Sequence, residues 1–239
     1  MVWRVVISAP RNFLKWIDVV AIFCLAVLPD LVKSCLAVSN TPSNTYPFVQ
    51  MLVLLTVRSL QVSVPILLIM KLRNVSWSDY GFVGFRKLMD ILIAVGLVVL
   101  CYCTYYGSAI ILYNCGVDFS GDYDGVPAMT ADASISLGSI LLIFIASAAN
   151  GFAEELAIRS YLLTRLSEII GSKAAAVILT SVLFAAYHSY QGRYGVLAAV
   201  MAGLVFGTYF AKTNRFWPIF IAHFIMDALP LTLIAASSE

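Results

Sequence analysis

The chain has 239 residues, of which 61% are hydrophobic and 12% charged, and its mean hydropathy is +0.92. This composition excludes an ordinary soluble domain and is typical of a polytopic membrane protein. The net charge of +2 comes without a basic patch, so nothing indicates nucleic-acid binding. We expect one membrane domain over residues 1–239, since the chain is too short to add a soluble domain to a helix bundle.

Hydropathy predicts an all-α, polytopic transmembrane helix bundle of about seven spans. The spans lie near residues 16–38, 47–72, 88–114, 134–166, 173–190, 194–212 and 217–235. Residues 1–133 then supply three N-terminal spans, and residues 134–235 a four-helix core. Pro29 lies inside the first span, where we expect a kink or an early end. Asp30 and Lys33 follow it and are close enough to pair.

The distribution of Lys and Arg predicts the orientation of the bundle. Arg4, Arg11 and Lys15 precede the first span, and basic residues also flank the second, fourth and sixth loops. The third loop, residues 116–133, carries four aspartates and no Lys or Arg. Because basic loops remain in the cytoplasm, the N-terminus is expected there and the acidic loop outside. Arg193, in the fifth loop, is the one basic residue on the opposite side.

Residues 150–161 place three charges, Glu154, Glu155 and Arg159, within or at the edge of a predicted membrane helix. An ionisable group in a membrane costs a few kcal/mol or more unless it is paired or faces water. Glu155 and Arg159 are four residues apart and can form an ion pair. Glu154 is rotated by about 100° and has no partner on its own helix. Either both carboxylates bracket the arginine structurally, or Glu154 is free to perform chemistry.

The two histidines of the chain, His188 and His223, both fall in predicted spans of the second half. Phe184 precedes His188 by four residues, and Asp227 follows His223 by four, so each pair shares a helix face. A lone buried histidine is commonly a satisfied core residue. Here both histidines of the chain lie in spans that follow an intramembrane glutamate, which favours a functional site. The sequence contains neither H-E-x-x-H nor G-x-S-x-G. A carboxylate and two imidazoles remain, which can activate water and stabilise an oxyanion.

Three motifs in this order resemble those of the type II CAAX prenyl protease family, also called the CPBP or Abi family of intramembrane proteases. They are Glu154-Glu155-x-x-x-Arg159, Phe184-x-x-x-His188 and His223-x-x-x-Asp227. The resemblance covers about residues 134–230, and the first three spans match only in being hydrophobic. The prenyl-processing members typically carry Asn at the last position, where this chain has Asp227.

The resemblance implies a catalytic role for Glu154, His188, His223 and Asp227. Glu154 with His188 would activate the attacking water, and His223 with residue 227 would stabilise the oxyanion. Glu155 and Arg159 would form a structural ion pair. An ionised Asp227 cannot donate a hydrogen bond to an oxyanion, but it can orient His223. The family implies no cofactor; the alternative is zinc held by Glu154, His188 and His223.

The sequence therefore predicts an intramembrane glutamic endopeptidase, a hydrolase that cleaves a membrane-associated or lipidated peptide or protein. Its partners would be membrane lipids and this substrate, and its location a bacterial plasma membrane. One alternative is a non-catalytic membrane protein with a bacteriocin-immunity or scaffolding role. Another is a proton-coupled transporter, since chains of Glu, His and Asp also relay protons. Transport lacks support because no internal repeat or pair of broken helices is evident.

Overall fold

The computed structural model describes residues 11–39, 47–117 and 136–236, and helices make up most of them. In these ranges the helices are α1 (residues 11–39), α2 (Phe48–Leu72), α3 (Lys87–Asn114), α4 (Leu137–Ile170), α5 (Lys173–Ala186), α6 (Gly192–Thr213) and α7 (Phe216–Ala236). The basic segment before residue 11 and the aspartates of the third loop lie outside the described residues.

The described helices confirm an all-α membrane bundle of about seven spans. All of them except α5 are long and apolar enough to cross a membrane. Helix α5 has 14 residues, or about 21 Å at 1.5 Å per residue, which is shorter than the ~30 Å hydrocarbon core. Large apolar side chains are exposed along the bundle, as expected of surfaces that face lipid. The chain is therefore an integral membrane protein.

Helix α1 continues through Pro29, so the predicted early end of this span does not occur. A π-helical segment, Phe23–Val27, lies immediately before the proline. Pro29 has no N–H for the carbonyl of Leu25, its acceptor in an α-helix. The Arg58 Nη2 of α2 donates to the carbonyls of Leu25 and Ala26 instead, at 3.2 Å each. A neighbouring helix thus satisfies the backbone that the proline disrupts.

Arg58 also pairs with Asp30, one residue beyond the proline. Its Nη2 lies 2.8 Å from Asp30 Oδ2, whereas Lys33 Nζ is 3.6 Å from Asp30 Oδ1. The predicted Asp30–Lys33 pair is therefore present but is the longer of the two. The shorter ion pair joins α1 to α2.

Helix α4 occupies the centre of the bundle and packs against α1, α2, α5, α6 and α7. Its N-terminus is capped by Ser136 and Ser139, each of which accepts the other's backbone N–H. A second π-helical segment, Leu156–Leu163, follows Glu155 directly, and all eight of its residues are buried. Such π-segments widen a helix and occur frequently at functional sites.

Glycines allow two close helix approaches next to the motifs. A Cβ on Gly203 of α6 would lie 2.9 Å from Ser181 Cβ of α5. A Cβ on Gly151 of α4 would lie 3.3 Å from Phe224 N and 3.4 Å from His223 Cβ on α7. Since a real side chain would separate these helices, glycine at 151 brings the His223 region of α7 against α4.

The fifth span ends earlier than predicted, at Ala186 rather than near residue 190. His188 consequently lies in a turn, and a short 3₁₀ segment, Ser189–Gln191, follows it. The backbone N–H of His188 bonds to the Ala185 carbonyl, and the His188 ring bonds to the Phe184 carbonyl one turn earlier. Ser34 Oγ of α1 donates a hydrogen bond to the Tyr187 carbonyl of this turn.

Candidate active site

Glu155 and Arg159 form a fully buried ion pair on α4. Arg159 Nη1 lies 3.0 Å from Glu155 Oε1, and the side chains are 1% and 0% exposed. The guanidinium also stacks over the Phe184 ring of α5, with Cζ 4.2 Å from the ring centroid. The ring of Phe206 on α6 lies 5.8 Å away. A carboxylate and two aromatic faces therefore stabilise the buried arginine together.

His223 lies between three carboxylates. Its Nδ1 is 2.7 Å from Glu155 Oε1, and its Nε2 is 3.3 Å from Glu154 Oε2 and 3.6 Å from Asp227 Oδ1. A carboxylate oxygen that is already paired with Arg159 can only accept, so His223 Nδ1 carries a proton and donates to it. Glu155 therefore connects the first motif to the third by holding both Arg159 and His223.

Glu154 reaches the same imidazole from the other side. Its Oε2 is within ion-pair distance of His223 Nε2 but makes no hydrogen bond with acceptable geometry in the described parts of the chain. A buried carboxylate oxygen without such a bond is costly unless water or a substrate supplies one. Glu155 Oε2 also lacks such a bond, but Glu155 is 0% exposed whereas Glu154 lines an opening. Glu154 is thus the carboxylate of this pair that a ligand can reach.

Asn150, which lies outside the three sequence motifs, completes this side of the cluster. It precedes Glu154 by four residues on α4, and its Nδ2 donates to Asp227 Oδ2 at 2.9 Å. The signal available in the sequence was the four-residue spacing, which places Asn150 one turn before Glu154 on the same helix face. Asp227 is held by this amide and by its proximity to His223.

His188 lies in a pocket of aromatic rings. Its Nδ1 is 2.7 Å from the Phe184 carbonyl, which can only accept, so Nδ1 donates and Nε2 of the neutral ring keeps a lone pair. The ring centroids of Phe184 and Tyr187 are 4.5 Å and 4.6 Å from that of His188. Phe184 is also 6.2 Å from the His223 ring. We expected Glu154 and His188 to act together, but these two side chains are not in direct contact in the described structure. The direct polar neighbour of Glu154 is His223.

A small opening with a volume of about 30 Å³ adjoins Glu154. Its lining comes from α1, α2, α4 and the turn after α5. The polar residues among them are Asp30, Arg58, Ser59, Asn150, Glu154 and Tyr187. The opening has room for water beside the Glu154 carboxylate. Helices α1 and α2 form one wall of this opening, although they contain none of the three motifs.

The described residues contain no group of three or more His, Cys, Asp or Glu side chains arranged to hold a metal ion. His188 is turned toward the Phe184 carbonyl, while Glu154 and His223 face each other. The alternative zinc site on Glu154, His188 and His223 would therefore require His188 to move. A reaction without a cofactor remains a prediction.

Comparison with known proteins agrees with the motifs. Residues 136–229 match the model of a protein family described as "Type II CAAX prenyl endopeptidase Rce1-like". The matched region contains all three motifs, so the resemblance inferred from them is confirmed. Neither the curated proteins nor the solved structures include a match. Helices α1 to α3 lie outside the matched region.

Proposed function

We propose that this chain is an intramembrane glutamic endopeptidase, which hydrolyses a peptide bond in a membrane-associated or lipidated peptide or protein. The proposal follows from the matched family and from one observation. Glu154 is a partly buried carboxylate inside a membrane bundle, without a hydrogen bond on Oε2 in the described residues, beside an opening that can hold water. An ionisable group at such a position in a membrane helix indicates a functional site.

In the first step, Glu154 removes a proton from a water molecule in the opening. The water oxygen attacks the scissile carbonyl carbon, and the electron pair of the C=O double bond moves to the oxygen. His188 Nε2, which keeps its lone pair, accepts a hydrogen bond from the same water and orients it. Water bridges the two groups here, since Glu154 and His188 are not in direct contact.

In the second step, the tetrahedral intermediate collapses. The C–N bond breaks, the leaving nitrogen takes the proton from Glu154, and the products are a carboxylic acid and an amine. His223 supplies the positive charge or hydrogen-bond donor beside the oxyanion. Glu155 holds His223 through Nδ1 at 2.7 Å, as the aspartate of a hydrolase triad orients its histidine.

The first test is cleavage by purified protein in detergent of three probes: a farnesylated C-terminal peptide, the same peptide without the lipid, and a single-span transmembrane peptide. We expect wild type to cleave at least one of them and Glu154→Gln to cleave none, because the amide has the size of the base but not its basicity. Glu168→Gln is the matched control, since Glu168 lies on the same helix but pairs with Lys15 and Arg165.

The same assay separates activation by side chains from activation by a metal. A water polarised by Glu154 and His188 needs no metal ion, so chelator should leave the rate unchanged. Stoichiometric zinc that is lost together with activity on dialysis, and restored with it, would overturn this mechanism. Near wild-type cleavage by Glu154→Gln would contradict the assignment of the base.

We further propose that the N-terminus is cytoplasmic in a bacterial plasma membrane. Charged contacts join the helix ends expected on that side: Lys15 with Glu168, Asp18 with Arg73, and Asp90 with Arg215. Because these pairs link α1, α2, α3, α4 and the α6–α7 turn at one end of the bundle, they agree with the alternation of basic loops. Reporter fusions at residue 1 and in the loop 118–135 would report opposite sides of the membrane.

A further inference from the structure

We propose that Asn150 is a further catalytic residue, whose side-chain amide donates a hydrogen bond to the oxyanion while Asp227 holds the amide in place. The inference rests on the proposed endopeptidase function. It adds a donor that none of the three sequence motifs contains.

The position of Asn150 is suited to this role. Asn150 and Glu154 are one turn apart on α4 and line the same opening. The base and the amide therefore reach the same space from one helix, and a carbonyl carbon attacked next to Glu154 would have its oxygen within reach of the amide. Gly151 keeps α7 close enough to α4 for Asp227 to contact Asn150.

Asn150 offers a donor in addition to His223, whose N–H groups are shared with carboxylates. An ionised Asp227 can only accept. His223 Nδ1 is committed to Glu155, and its Nε2 faces two further carboxylates, Glu154 and Asp227. Asn150 Nδ2 carries two hydrogens, and among the described residues this nitrogen makes one hydrogen bond, to Asp227 Oδ2 at 2.9 Å. The second N–H is available to a ligand in the opening.

Asp227 fixes the direction of this amide. Because the carboxylate repels the amide oxygen, the NH₂ end of Asn150 must face Asp227. The preorganised amide then needs no rearrangement when charge develops on the substrate oxygen. When the water attacks, the C=O electron pair moves to the oxygen, and the oxyanion accepts the second Asn150 N–H. Asn150 keeps both of its protons, and the leaving amine takes its proton from Glu154.

The test is a double-mutant cycle of Asn150→Ala and Asp227→Asn, measured on a probe peptide that wild type cleaves. Asn150→Ala alone should lower kcat about 100-fold with KM changed by less than about threefold, since one oxyanion donor is lost. Asp227→Asn alone should keep kcat within about tenfold, because an amide there can orient His223 and also donate. In the Asp227→Asn background, Asn150→Ala should cost less than about fivefold, because position 227 now supplies an amide donor.

A reversed pair gives a second measurement. Asn150→Asp alone places two carboxylates about 3 Å apart and should inactivate the enzyme or unfold it. Adding Asp227→Asn restores one amide and one carboxylate. The double variant should have a kcat at least about tenfold higher than that of Asn150→Asp alone or, if Asn150→Asp is unfolded, a melting temperature closer to that of wild type. Asn114→Ala, at the exposed C-terminal end of α3, is the control for removal of an amide elsewhere.

Loss of kcat by less than about threefold in Asn150→Ala would overturn the inference, as would an equal loss in both backgrounds. Either result can occur while Glu154→Gln remains inactive, so the proposed function would stand. If wild type cleaves no probe, or Glu154→Gln cleaves as well as wild type, the proposed function fails and this inference fails with it.

Discussion

At the scale of single residues, Glu155 is the carboxylate on which the buried cluster depends. Its Oε1 accepts from Arg159 Nη1 at 3.0 Å and lies 2.7 Å from His223 Nδ1. One oxygen thus serves the ion pair of α4 and the orientation of the imidazole on α7. The four-residue spacing predicts the first of these contacts. The second depends on how α7 packs, so Glu155 has a positioning role in addition to the structural one.

We expect Glu155→Ala to destabilise the protein by about 3–5 kcal/mol, because it leaves Arg159 buried and without its carboxylate. Glu155→Gln should cost less, since the amide oxygen still accepts a hydrogen bond. Thermal unfolding in detergent measures both, with Glu168→Ala as the control for a partly exposed pair. A melting temperature of Glu155→Ala equal to that of wild type would contradict this prediction.

At the scale of elements, the turn after α5 is held by a helix from the other half of the chain. The turn carries His188, and Ser34 of α1 donates to the Tyr187 carbonyl within it. Ser34 is fully buried. Irregular backbone at membrane depth is tolerated only where protein satisfies its polar groups. Helix α1 therefore contributes to the position of His188, the histidine of the second motif that we propose to orient the attacking water.

Ser34→Ala should leave the Tyr187 carbonyl without its donor and allow the turn to shift. We expect kcat to fall about ten- to hundredfold, because a displacement near 1 Å in a catalytic group has this effect. KM should change less, and Ser34→Thr, which keeps the hydroxyl, should restore most of the rate. Ser63→Ala is the matched control, since buried Ser63 donates only to Ser59 on its own helix. Equal rates for Ser34→Ala and wild type would refute the positioning role.

At the scale of the whole molecule, the N-terminal helices complete the site that the C-terminal helices carry. Helix α2 packs on α4, and α3 packs on α6 and α7. Asp30 and Arg58, from α1 and α2, line the opening beside Glu154. The region that matches the family model therefore lacks one wall of its own candidate site.

We expect residues 118–239, expressed without α1 to α3, to be aggregated or inactive, because the apolar faces of α4 and α7 would lose their partners. Co-expression with residues 1–117 should restore a monodisperse complex and cleavage. Size-exclusion chromatography in detergent and the peptide assay measure the two properties. The two-piece protein is the control for breakage of the chain itself. A monodisperse, active fragment would show that the N-terminal helices are dispensable.

The sequence alone was sufficient to predict the helix bundle, its approximate spans and the ion pair of Glu155 and Arg159. The grouping of Glu154, His188, His223 and Asp227 into one catalytic site came from the family resemblance and stays a prediction. Twenty-residue apolar runs and four-residue spacings are local properties, and helix geometry converts them directly into positions. The end of α5 was predicted about four residues too late. The chain stays apolar as far as Tyr187, so hydropathy does not mark the change from α-helix to the turn that holds His188.

Only the tertiary structure decided which side chains meet across helices. Three contacts join residues that are far apart along the chain: Asn150 and Asp227 are 77 residues apart, Glu155 and His223 are 68 apart, and Ser34 and Tyr187 are 153 apart. No periodicity within one helix specifies such pairs. They follow from the close approach of α7 to α4 at Gly151 and from the packing of α1 against the turn after α5. Local spacing determined the faces of the helices, and packing determined which faces meet, because the contacts between helices depend on side-chain shapes along their whole lengths.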